Sequence, residues 1–97
     1  MPIKRGVDVS GLKPEILIAY VEAQFIWREQ ATRAVITSGL DGNHMEGSKH
    51  YIGQAIDLRT RDLTNPSLAR DKLSQSLGSD YDVVLESDHI HVEYDPK

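Results

Sequence analysis

No cysteine occurs anywhere in the chain, so disulfides and thiolate metal sites are excluded, and the redox compartment stays open. Long apolar runs are missing too. No stretch reaches the length needed to cross a bilayer, and the opening "MPIKRGVDVS" lacks the apolar centre of a secretory leader. A protein that begins this way and works outside the cytoplasm needs something else to carry it there. Blocks of like charge are also absent. The formal net charge is −4 and no cluster of Lys and Arg stands out, which argues against nucleic acid or an anionic membrane surface as the main partner. There is no internal repeat and no low-complexity segment. What is present is the composition of an ordinary soluble globular protein, 39% hydrophobic and 27% charged, in 97 residues. That length fits one domain over residues 1–97 with a single core.

The first strong periodic signal is "KPEILIAYVEAQFIWREQ". Pro14 suits the first helical position, where its missing N–H costs nothing, and Glu15 complements the positive end of the helix dipole. Glu15, Glu22 and Glu29 form one narrow polar stripe, and apolar side chains from Ile16 to Trp27 cover most of the remaining circumference. That pattern predicts a helix largely buried against a sheet. "RAVITSG", Arg33 to Gly39, predicts a short strand, and the Gly-, Asn- and Ser-rich "LDGNHMEGSKHY" predicts a loop. In "QAIDLRT" the alternation puts Ala55, Asp57 and Arg59 on one face of a strand and Ile56 and Leu58 on the other. A second helix is expected with Asn65 as N-cap, Pro66 in its first turn and Gly78 as its stop. "YDVVLES" and "HIHVEYD" then predict two strands joined tightly at Ser87 and Asp88, with His89 and His91 on one face of the last strand. The order α-β-β-α-β-β predicts an α+β fold with an antiparallel sheet backed by helices.

All four histidines fall in two clusters, His44 and His50 before the second strand and His89 and His91 on the last. One isolated histidine reads as a surface or satisfied core residue. Two pairs, each beside carboxylates, read as a candidate metal site. Zinc suits them, because imidazole nitrogen and carboxylate oxygen are both good ligands and a hydrolytic site needs only three protein groups. The helical signature H-E-x-x-H is absent. His50, Asp57 and His91 could supply a two-histidine, one-carboxylate set from separate elements, with Gly53 letting the chain turn between the first two. A rival set, His44, Glu46 and His50, would draw on one loop alone.

"TSG" at Thr37 to Gly39, "GSKHYIGQAIDL" and the terminal "DHIHVEY" together resemble the zinc D-alanyl-D-alanine carboxypeptidase and L-alanyl-D-glutamate peptidase family, which shares its fold with the Hedgehog signalling domain. Ser48, His50, Gly53, Ala55 and Asp57 match the family pattern S-x-H-x-x-G-x-A-x-D without a gap, and Asp88 and His91 match its second half. The resemblance spans Thr37 to Tyr94. It implies a Hedgehog/D,D-peptidase-like fold, with zinc as cofactor held by His50, Asp57 and His91. It further implies a peptidoglycan stem peptide as partner and amide-bond hydrolysis as the reaction. Asp88 would serve as the catalytic base, in preference to Glu86, and His89 would orient substrate or stabilise the tetrahedral intermediate. Size and resemblance together suggest a phage-encoded member, delivered to the wall by holins or tail structures.

Other residues keep two readings. Ser48 either hydrogen-bonds substrate or caps the turn before His50, and His44 either lines the site or decorates the loop. Tyr51, Tyr81 and Tyr94 read as packing residues. Where many family members carry an arginine after the "SG" turn, this chain has "SGLDGNH", which leaves Arg59, Arg61 or Lys49 to hold a substrate carboxylate. The alternative reading of the chain is a catalytically silent zinc-binding module that recognises a peptide or protein partner. Such a module would retain the three ligands but have no need of Asp88.

Overall fold

Pro14 opens the first helix, α1 (Pro14–Arg28), in the computed structural model, which describes residues 1–41 and 47–97. Four strands follow: β1 (Ile36–Ser38), β2 (Ala55–Arg59), β3 (Tyr81–Leu85) and β4 (His89–Tyr94). A second helix, α2 (Pro66–Leu77), joins β2 to β3, and a single 3₁₀ turn (Lys49–Ile52) precedes β2. The strands form one antiparallel sheet in the order β1-β2-β4-β3. This is the expected α+β architecture, with two helices on one side of the sheet. No helix among the described residues is long and apolar enough to cross a membrane.

The sheet has two unlike faces because each strand alternates apolar and polar residues. Val83, Val92 and Ile56 are register partners across β3, β4 and β2, as are Ile90, Leu58 and Ile36 across β4, β2 and β1. All six are buried against the helices. The intervening rows run through Asp82, Glu93 and Ala55, through Val84, His91 and Asp57, and through His89 and Arg59. The core face thus holds the molecule together and leaves the other face free for polar chemistry.

Asn65 caps α2 by accepting a hydrogen bond from the Leu68 N–H at 3.1 Å, and Ala69 and Leu73 are its buried edge. The expected strand at Arg33 to Gly39 is shorter than its β-branched run. Ile36 is claimed on one side by the N-terminal segment through a parallel bridge to Ile3, and the pairing with β2 is broken by a bulge between Ile36 and Ser38. That bulge has a use. It sets Ser38 opposite Asp57, although Ile36, two residues earlier, lies on the core face.

One expectation fails. Helix α1 is not largely buried: Ile16, Ala19, Tyr20, Ala23, Ile26 and Trp27 are inside, but Leu17, Ile18, Val21 and Phe25 are 41–57% exposed. A single sheet face covers only one side of a helix, and no described element lies over the other side. Tyr51 is likewise exposed rather than a packing residue. Tyr81 and Tyr94 do pack, with ring centroids 5.2 Å apart, and the Tyr81 hydroxyl donates to the Glu15 carbonyl at 2.9 Å.

Candidate metal centre

Gly53 sets the approach of the first histidine to the sheet. Its φ of 75° lies in the left-handed region, and a Cβ there would come within 2.0 Å of the Gly11 carbonyl oxygen. The backbone carbonyl of Gly53 accepts from the Lys13 N–H at 2.9 Å, so the turn is tied to the start of α1. Directly before it, Ser48 accepts a hydrogen bond from the His50 N–H at 3.2 Å. Of the two readings of Ser48, the capping one is therefore a contact seen in the structure. His50, in the turn, is 3% exposed.

The ring of His50 is held by backbone. Its Nδ1 lies 2.9 Å from the Gly39 carbonyl oxygen, which can only accept, so Nδ1 carries a hydrogen and Nε2 is the nitrogen turned toward Asp57 and His91. Gly39 occupies a place that no other residue fits, because a Cβ would stand 2.2 Å from the Asp8 carbonyl oxygen. Its N–H donates to the Asp41 carboxylate, which also accepts from the Asp8 N–H. The N-terminal segment and the end of β1 together aim one carbonyl at His50.

Strands β2 and β4 supply the other two groups. Asp57 and His91 are register partners and share the open face. The Asp57 Oδ1 lies 3.0 Å from His91 Nδ1 and 3.2 Å from His50 Nε2, and the two nitrogens are 3.2 Å apart. Three potential ligand atoms, one each from a turn and two strands, thus meet around one point. The edges of a tetrahedron drawn with zinc–nitrogen bonds measure about 3.3 Å. The spacing and the chemistry of the donors both fit a divalent metal such as zinc, and His50, Asp57 and His91 could hold one.

Charge at this point is balanced in a telling way. Burial pushes the Asp57 carboxyl up, but hydrogen bonds from His50 and His91, with positive charge from His50 and His89, outweigh it and hold the carboxyl well below the usual carboxylate range. His91 is raised to about 8, first by its hydrogen bond to Asp57 and against the opposing effect of burial, with Glu93 adding in the same direction. Without metal, His91 carries a proton on Nδ1 facing both Asp57 and His50.

Asp88 and His89 lie beside this point. They line a groove of about 510 Å³ together with Asp57, Thr37 and Ser38, and with the cationic Lys4, Arg59 and Arg61. His89 Nε2 is 3.7 Å from Asp57 Oδ1, and His89 Nδ1 is 2.8 Å from Asp88 Oδ1. The Asp88 side chain is 86% exposed. Its backbone is fixed, because the Glu86 N–H donates to the His89 carbonyl at 2.8 Å and the Thr60 N–H to the Asp88 carbonyl at 3.4 Å. Among the basic residues expected to meet a substrate carboxylate, Arg59 is engaged by Asp62 at 2.6 Å, and Lys49 lies 3.8 Å from Asp95 and does not line the groove. Arg61 and Lys4 line it and have no ion pair among the described residues.

His44 and Glu46 lie outside the described residues, and with them the rival ligand set. Two contributors escaped the sequence reading, the Gly39 carbonyl and Glu93. The first is a backbone contact with no sequence signature. The second had one, since Glu93 follows His91 by two residues on the same strand face and its Oε1 lies 2.8 Å from His91 Nε2. Comparisons of the chain with family models, with curated proteins and with solved structures find no match.

Proposed function

We propose that the chain is a zinc peptidase of the Hedgehog/D,D-peptidase fold that hydrolyses an amide bond in peptidoglycan stem peptides. The observation that carries this reading is the convergence of His50 Nε2, Asp57 Oδ1 and His91 Nδ1 beside a groove lined by Asp88 and His89. The resemblance of "GSKHYIGQAIDL" and "DHIHVEY" to the family supplies the reaction class. Bound by the three ligands, zinc would supply Lewis-acid activation of a water and of the scissile carbonyl.

The chain's own groups do the rest. Asp88 accepts the proton of the attacking water and returns one to the leaving amine, as its exposed carboxylate at the groove allows. His89 holds Asp88 through Nδ1, and its Nε2 faces the groove near Asp57, where it orients the carbonyl being attacked. Arg61 and Lys4 bring positive charge to a substrate rich in carboxylates.

The test is cleavage of purified muropeptides by zinc-loaded protein, with products identified by mass. Chelation should stop the reaction and zinc restore it. Asp88→Asn keeps shape and removes most basicity, so it should retain zinc and lose about 10²–10⁴-fold in rate. Wild-type protein that binds zinc and cleaves no stem-peptide bond would favour the silent binding module instead. Cleavage that survives Asp88→Asn would move the base to Glu86 or His89.

A further inference from the structure

We infer that Glu93 is the positioning residue that makes His91 a ligand through Nδ1, an inference that rests on the zinc reading above. The two histidines of the centre present different nitrogens. His50 offers Nε2 because its Nδ1 is bound to the Gly39 carbonyl. His91 is turned the other way, with Nδ1 toward Asp57 and His50 and Nε2 at 2.8 Å from Glu93 Oε1. Each ring is thus gripped by an acceptor at the nitrogen that faces away from the convergence point. For His50 the acceptor is a backbone carbonyl that substitution cannot remove. For His91 it is a side chain, and that makes the device testable.

Strand geometry explains why Glu93 can do this. Residues two apart on β4 project from the same face, so the carboxylate reaches the neighbouring ring without any turn of the chain. Both side chains are mostly buried, at 21% and 23% exposure, so the contact is only partly screened by water. Glu93 also sits in an acidic cluster with Asp82 and Asp95. Lys97 approaches the other two, at 3.5 Å from Asp82 and 3.4 Å from Asp95, while the carboxylate of Glu93 is directed at His91. An acceptor on Nε2–H fixes which nitrogen is free, holds the ring plane and makes the free nitrogen a better donor. Glu93 has no part in proton transfer, since it lies on the far side of the imidazole from the metal point.

The experiment is a zinc titration against a competing chelator on wild-type protein, Glu93→Ala, Glu93→Met, Glu93→Gln and Asp82→Asn. Far-ultraviolet circular dichroism and the metal-free unfolding midpoint confirm that each is folded. Glu93→Met keeps the length of the side chain and lacks the acceptor, so it serves if Glu93→Ala fails to fold. Both removal variants should bind zinc about 10–100-fold more weakly, whereas Glu93→Gln, whose amide oxygen can accept the same N–H, should stay within about threefold of wild type. Asp82→Asn removes a charge from the same cluster without touching His91 and should also stay close to wild type. With cobalt(II) in place of zinc, the visible spectrum should change in the removal variants and return in Glu93→Gln. Removal variants with wild-type affinity and an unaltered cobalt spectrum would overturn this inference alone. So would an equal loss in Asp82→Asn, because that would show general attraction by acidic charge. Wild-type protein that takes up neither ion would overturn the zinc reading and this inference with it.

Discussion

His50, Asp57 and His91 form one set of potential ligands on the open face of the sheet, and Asp82, Glu93 and Asp95 form another a row away. In both, the ligand atoms lie within 4.8 Å of one another. In the first set every donor is fixed before any metal arrives: His50 is buried and tied to Gly39, Asp57 is held between two histidines, and His91 is held between Asp57 and Glu93. In the second the donors are three carboxylates. The Asp82 side chain is 44% exposed, and Lys97 and Lys49 already lie against Asp82 and Asp95. Acidic groups at a solvated strand edge gather without any metal, and their ion pairs contribute little. Convergence alone therefore does not make a metal site. Two imidazoles beside one carboxylate, oriented by groups behind them, set the first cluster apart, because little side-chain freedom remains to be lost on binding.

The strongest way to break that comparison is to measure what zinc does to stability. Ligands from a turn and two strands should tie the fold together, so zinc at about a thousandfold over its dissociation constant should add about 4 kcal/mol. For a domain of this size that raises the unfolding midpoint by more than about 10 °C. His91→Ala should abolish the gain, and Asp82→Asn should keep it. An unchanged midpoint in the wild-type protein would reduce the first cluster to the standing of the second.

Acidity offers a smaller effect, and one that differs between the two metal states. The folded metal-free protein holds His91 at about 8, above its ordinary 6.5, so its protonation stabilises the fold fully below about pH 6.5. That contribution is lost as pH rises through about 8, and it amounts to at most about 2 kcal/mol. Asp57 is shifted the other way, and its contribution is lost only in acid, far below this window. In chelator the midpoint should therefore fall between pH 6.5 and 8.5, and the fall should disappear in His91→Gln. Zinc must displace the same proton, so the stabilisation by zinc should grow over the same range. A metal-free midpoint that rises with pH would contradict the assigned hydrogen bonds of His91.

The smallest effect should come from the second cluster. The Lys97 side chain is exposed, and Lys97→Ala should leave both zinc uptake and the unfolding midpoint unchanged within the precision of a thermal scan. A clear loss of zinc would mean that the two clusters are coupled more closely than their contacts imply.

Local chemistry made much of this legible. Asn65, Pro66 and Gly78 marked the limits of α2, the alternation of "QAIDLRT" put Asp57 on the open face, and the tight link between β3 and β4 followed from its two residues. The three residues that could hold a metal were legible from their type together with the family resemblance of their spacing. What depended on distant chain was not. The outer side of α1 is as apolar as a buried one, and nothing in a helical period says how many layers will cover it. The shortness of β1 comes from a bulge and from competition by the N-terminal segment for Ile36. Gly39 was noticed for its place in "TSG", whereas its role comes from a carbonyl that meets His50 eleven residues later.

X-ray absorption at the zinc edge, on protein loaded with one equivalent, tests the central claim most directly. Zinc held by His50, Asp57 and His91 should show first-shell nitrogen and oxygen at about 2.0–2.1 Å, with the outer scattering of two imidazole rings. A shell of oxygen alone, or imidazole scattering from fewer than two rings, would place the metal elsewhere and contradict the account.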